Sequence, residues 1–152
     1  MTSIPETLRR AVTIRAQGCC EYCLISQDDA FLAHEVDHVI AEKHRGATAL
    51  DNLCLSCFDC NRHKGSDIAS LDPETGALTP LFDPRRNFWA DHFRLEGPRI
   101  APRTAVGRVT EYLLRLNSDE QIMKRAALIA LGRYPPTVLQ IKLSPRRSPD
   151  SP

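Results

Sequence analysis

Two Cys-x-x-Cys pairs, Cys20/Cys23 and Cys57/Cys60, constrain the fold of this chain more than any other feature. Each pair offers two thiolates from one tight turn. Four thiolates brought together make a tetrahedral site suited to Zn²⁺, with no open coordination position. Residues 24–56 lie between the pairs, so an ion bound to both must staple something folded between them. Cys19 and Cys54 fall outside the spacing and read as buried small apolar groups. All six cysteines lie within the first 60 of 152 residues. A secreted disulfide scaffold would spread its cysteines and carry a signal segment. Here Glu6, Arg9 and Arg10 interrupt the first apolar residues. The expectation is a cytoplasmic protein with a structural zinc ion.

Hydrophobic residues make up 42% of the chain and charged residues 26%, an ordinary soluble balance that argues against wholesale disorder. The longest clean apolar run, 126–131, is far short of the roughly 20 residues a membrane helix needs, so no membrane partner is expected. The formal charge of +1 hides an asymmetry: residues 1–66 carry seven basic against nine acidic side chains, and residues 67–152 thirteen against ten. Within 85–108, Arg85, Arg86, Arg94, Arg99, Arg103 and Arg108 stand against Asp91 and Glu96. That stretch could meet nucleic-acid phosphates. The competing reading is a solvated surface, or arginines paired with Asp83, Asp91 and Glu96.

Residues 4–16 have helical spacing, with Pro5 in the first turn and Gly18 beyond the end. Strands are predicted over 31–40 and 52–56, a short helix over 58–65, and a turn at Asp72-Pro73-Glu74-Thr75-Gly76. Residues 87–94 read as a helical stretch holding Phe88, Trp89 and Phe93, and a short strand is bracketed by Pro98 and Pro102. Two helices are predicted over 104–116 and 118–131, the second capped by Ser118 with Gln121 completing a capping box. Ser144 to Pro152 holds three Pro, three Ser and two Arg, a composition that resists packing, and a disordered tail is expected over 137–152.

Between the knuckles stands His34-Glu35-Val36-Asp37-His38-Val39-Ile40, followed by Asp51-Asn52-Leu53 and Cys57-Phe58-Asp59-Cys60-Asn61-Arg62-His63-Lys64-Gly65. The Asp37-His38 dipeptide, Asn52 before the second strand, Asn61 after the second knuckle and the two cysteine pairs, in this order, resemble the HNH endonuclease family. The likeness covers roughly residues 15–66 and is to the zinc-stapled branch, in an H-N-N variant. It implies an α+β fold: a ββα-metal core stapled by the four-cysteine zinc site, with a mostly helical C-terminal extension. The expected division is a nuclease core with its N-terminal helix over 1–66, an extension packing on that core over 67–136, and the tail. Trp89, Phe88 and Phe93 are expected to join extension and core. Two family features are absent: Ala41 stands where relatives often have Pro, and Arg45-Gly46 where they often have Gly-Gly. Neither change removes a catalytic group.

The implied activity is metal-dependent hydrolysis of DNA phosphodiester bonds. The chemistry needs an activated water and a sink for charge on the leaving oxygen. His38 is a base that titrates near neutral pH. Asp37 and Asn61 offer hard oxygen atoms suited to Mg²⁺ or Mn²⁺. His63 is the rival ligand, but residues 61 and 63 lie about 200° apart on a helix, so only one can face an ion. The resemblance gives Asn52 the task of orienting the His38 imidazole or the bound phosphate. Arg62, Lys64, Arg85 and Arg86 are the candidate phosphate contacts. His34 and His44 read as structural or surface residues. Asp37 and His38 can serve one site only if the strand ends or bulges there, because strand neighbours point to opposite faces. The rival function is a non-catalytic zinc module that binds nucleic acid or protein; RNA as substrate is not excluded by any residue.

Overall fold

The structure is a computed structural model describing residues 3–144 and residue 146. Helix α1 (Glu6–Arg15) buries Val12 and, with Ile4 and Ala16, packs on Leu53 and Leu55. Gln17 and Gly18 both take positive φ (55° and 70°), which reverses the chain into the first knuckle. Strands β1 (Glu35–His38) and β2 (Leu53–Ser56) pair antiparallel, with Asp37 opposite Cys54 and His38 opposite Leu53. Helix α2 (Phe58–Lys64) follows directly, its Cys57 cap accepting the Cys60 N–H through sulfur. Strand, loop, strand, helix is the order that the sequence predicts.

The rest of the described residues form two hairpins and four helices. Strands β3 (Ala69–Leu71) and β4 (Leu78–Pro80) flank the predicted turn, where Asp72 accepts from Glu74 N–H and Thr75 Oγ1. Helix α3 (Trp89–His92) is a single turn, followed by the hairpin β5 (Phe93–Glu96) and β6 (Arg99–Pro102). The predicted helix over 87–94 is thus cut short. Gly97 at φ 58° beside Pro98 closes a hairpin, and that draws Phe93 and Arg94 into its first strand. Helices α4 (Ala105–Leu113) and α5 (Asp119–Ala130) stand where expected. Ser118 caps α5 by accepting the Gln121 N–H, but the Gln121 side chain does not close the box. Its Nε2 donates to Asp59 Oδ2 on α2 at 2.9 Å, tying α5 to the first half of the chain.

Two further sequence expectations fail locally. The first strand spans four residues, not ten: β2 has only four residues to pair, and Phe31 and Leu32 before it are exposed. The tail does not begin at 137. Thr137–Leu139 forms a 3₁₀ turn and α6 (Gln140–Leu143) a helical turn, anchored by Leu139, which is 1% exposed. Residues 145 and 147–152 lie outside the described residues.

One cluster of buried side chains runs from Cys19–Ile25 through Leu81, Phe82, Trp89 and Phe93 to Leu128, Tyr134 and Leu139. It crosses residue 66 without a break. Trp89 Nε1 donates to Tyr22 O at 2.9 Å, and Tyr134 Oη donates to Cys23 O at 2.8 Å. Two aromatic side chains of the later half thus hold the backbone of the first knuckle. Phe93 stacks on Trp89 and meets Phe82 edge-on, while Phe88 stays half-buried under Arg146. Arg125, fully buried, donates to Pro98 O, Leu116 O and Asn117 Oδ1, a hub that its charge hid in the sequence. Among the described residues no helix is long and apolar enough to cross a membrane.

Candidate functional site

The four knuckle sulfurs, Cys20, Cys23, Cys57 and Cys60, converge within 4.8 Å of one another, all buried. The Cys23 and Cys57 sulfurs are 3.7 Å apart. A tetrahedral Zn–S distance of about 2.3 Å implies S···S contacts of about 3.8 Å, so the sulfurs fit one ion of this size. Backbone N–H groups of Cys23 and Cys60 point at Cys20 and Cys57 Sγ, at 3.5 and 3.4 Å. The first knuckle is fixed to β2 by Glu21, whose N–H donates to Leu55 O while its Oε2 accepts the Leu55 N–H. Cys19 and Cys54 stay out of the cluster. Burial pushes their thiols up to about 11 and about 12, which keeps them protonated and unreactive.

A cleft of about 660 Å³ opens beside β1, and Glu35, Asp37, His38 and Asn61 line it with Arg9 from α1. β1 ends at His38, which is the condition for two strand neighbours to share one site. Burial raises the Asp37 carboxyl above its ordinary value, opposed by the Lys64 ammonium 4.0 Å away. Asn61 Nδ2 donates to Glu35 Oε2 at 2.5 Å, so its Oδ1 is the atom left to meet a cation. Glu35, Asp37 and Glu42 face the cleft against Arg9 and Lys43. His63 does not line the cleft, and its Nδ1 is buried without a partner.

Asn52 does not touch the imidazole. Its Oδ1 accepts from Ile40 N–H at 3.0 Å, and its Nδ2 donates to Ile40 O at 2.9 Å and Ala47 O at 2.8 Å. In this structure the Asn52 side chain staples the loop that leaves β1 and makes no hydrogen bond to the imidazole. Gly46 lies inside the same staple. A Cβ there would sit 1.7 Å from Ile40 O and 2.8 Å from Asn52 Nδ2. Gly46→Ala must push the loop off Asn52 and is expected to cost about 2–4 kcal/mol. A denaturant melt checks this; wild-type stability would show that the loop gives way freely.

Two of the four candidate phosphate contacts are spent elsewhere. Lys64 is buried at 2% exposure, and its Nζ donates to His38 O and Gly65 O. It faces the sheet, where the Asp37 carboxylate lies 4.0 Å from its Nζ. Arg85 is paired with buried Glu21, whose other neighbour is Lys142 Nζ at 3.7 Å. Arg86 is largely exposed but pairs with Asp83 at 2.9 Å, and Arg62 lies exposed over the Phe58 ring. In the wider stretch Arg94 pairs with Glu96, and Arg108 holds Asp72 through two hydrogen bonds that depress its carboxyl. Asp91, an expected partner within the stretch, pairs with Arg146 instead. The arginines thus mostly serve packing and surface pairing. Arg85→Ala is expected to cost on the order of 3 kcal/mol, because Glu21 stays buried. Measured by denaturant melts and by DNA affinity against salt, it should lower stability and leave the salt slope unchanged. A flattened slope would restore Arg85 as a phosphate contact.

Sequence reading missed the cleft residues Glu35, Arg9 and Glu42. Glu35 had a usable signal, since it stands two residues before Asp37 and period-two alternation puts both on one strand face. Arg9 had none, because only the packing of α1 on the sheet brings it to the cleft. No curated protein and no solved structure matches the chain. Residues 20–67, which hold both knuckles, the β1–β2 hairpin and α2, match the family model described as HNH endonuclease.

Proposed function

We propose that this protein is a metal-dependent endonuclease that hydrolyses DNA phosphodiester bonds. The observation that carries the reading is the convergence of His38, Asp37 and Asn61 on one cleft. His38 takes a proton from water, and the resulting hydroxide attacks phosphorus from the side opposite the leaving oxygen. Asp37 and Asn61 Oδ1 would hold a Mg²⁺ or Mn²⁺ ion, which supplies a sink for charge on that oxygen. Glu35 accepts from Asn61 Nδ2, which would leave Oδ1 as the atom to hold that ion. Arg9 at the cleft wall and exposed Arg62 are the side chains placed to hold backbone phosphates. The zinc site keeps the hairpin and α2 in register and takes no part in the chemistry. Thiolates must stay reduced to hold zinc, which fits a cytoplasmic enzyme.

The rival function, a zinc module that only binds, leaves the cleft carboxylates and His38 without a use. The test is incubation of supercoiled plasmid, and separately of single-stranded RNA, with purified protein with and without Mg²⁺ or Mn²⁺. Metal-dependent nicking of the plasmid supports the reading. Cleavage of RNA alone reassigns the substrate, and no cleavage of either with any divalent ion overturns it.

A further inference from the structure

The His38 imidazole has one side-chain partner close enough to fix its proton. Its Nε2 lies 2.8 Å from Thr48 Oγ1, and Thr48 Oγ1 donates to Glu42 Oε1 at 3.2 Å. Glu42 Oε1 is itself 3.8 Å from Nε2. A threonine hydroxyl has a single proton, and a carboxylate can only accept. The one Thr48 proton can go to Glu42 or to Nε2; in the arrangement proposed below it goes to the Glu42 carboxylate, and Thr48 meets His38 as an acceptor. That requires the proton of the neutral imidazole to sit on Nε2 and leaves Nδ1 as the nitrogen with a free lone pair.

We propose that Thr48 and Glu42 are positioning residues that fix His38 in the Nε2–H form and aim Nδ1 at the attacking water. The proposal rests on the nuclease reading above for its consequence, but not for its geometry. It also explains Asn52. By gripping Ile40 O and Ala47 O, Asn52 holds the residue before Thr48 at the distance the imidazole needs. The order of support runs from Asn52 through the loop to Thr48, and from Thr48 to the base. A misplaced base loses rate without losing substrate affinity, because phosphate contacts come from other groups.

The test uses the full-length protein and two conservative variants. Thr48→Val keeps the shape and removes the hydroxyl; Thr48→Ser keeps the hydroxyl. Thr48→Val is expected to lower kcat about 10- to 100-fold with KM within about twofold, and Thr48→Ser to restore most of the rate. The second readout is independent of activity. In ¹⁵N spectra of histidine-labelled protein, with His38 neutral, the wild type should show the Nε2–H form, and Thr48→Val a mixture. An Nδ1–H form in the wild type overturns the proposal, as does an unchanged kcat in a folded Thr48→Val. If neither DNA nor RNA is cut, the nuclease reading fails; the spectra still decide whether Thr48 sets the tautomer.

Discussion

Cys23→Ser and Cys57→Ser are each expected to cost the protein most of its stability, with loss of solubility and of any activity. Serine oxygen is a poor replacement for thiolate at a zinc ion. Structural zinc sites contribute apparent binding energies of about 10–16 kcal/mol, comparable with the whole stability of about 5–15 kcal/mol for a domain. The effect should not stay local. Tyr22 O and Cys23 O are held by Trp89 and Tyr134 from the later half, and Glu21 of the same knuckle anchors Arg85. A loosened knuckle therefore releases contacts across the whole core. Trp89 is the single tryptophan and is buried, so its fluorescence reports the event. Stripping the metal with a strong chelator should red-shift that emission and broaden the thermal transition, and added Zn²⁺ should reverse both. Protein purified without chelator should contain one zinc per chain. Absence of zinc together with an unchanged melt would remove the staple from this account.

The parts of the fold that were legible in the sequence are those set by local chemistry. Two cysteine pairs, a turn at Asp72-Pro73-Glu74-Thr75-Gly76 and a Ser118 cap each fix their own few residues, and all three stand as read. What failed depended on distant partners. The end of β1 is set by the length of β2, and the helix at 87–94 yielded to a hairpin closed further on. Charge was the least legible. Arg85 belongs to Glu21, 64 positions away, and Lys64 reaches His38 O and the Asp37 carboxylate on β1. A run of arginines counted along the chain cannot show which acids fold against it. The candidate site divides in the same way. Asp37, His38 and Asn61 were visible as a pattern, whereas Glu42 and Thr48 gained their place only when Asn52 folded the loop back.

His38→Ala is expected to lower the rate of cleavage about 10²- to 10⁴-fold, the usual loss when a general base is removed. Melting temperature and DNA affinity should stay close to wild type. The imidazole sits at the open end of β1, and its side-chain hydrogen bond among the described residues is to Thr48, so its removal leaves the core and the zinc staple intact. His34 is the control that separates chemistry from structure. It precedes the same strand, but its Nε2 bonds Ile25 O at 2.8 Å, bracing the end of the first knuckle segment. His34→Ala should therefore lower the melting temperature while the folded fraction still cuts DNA. The two histidines make opposite predictions on the same two measurements. Near-normal nicking by His38→Ala would sink the assignment of the base. The cleft would then have to activate water without an imidazole.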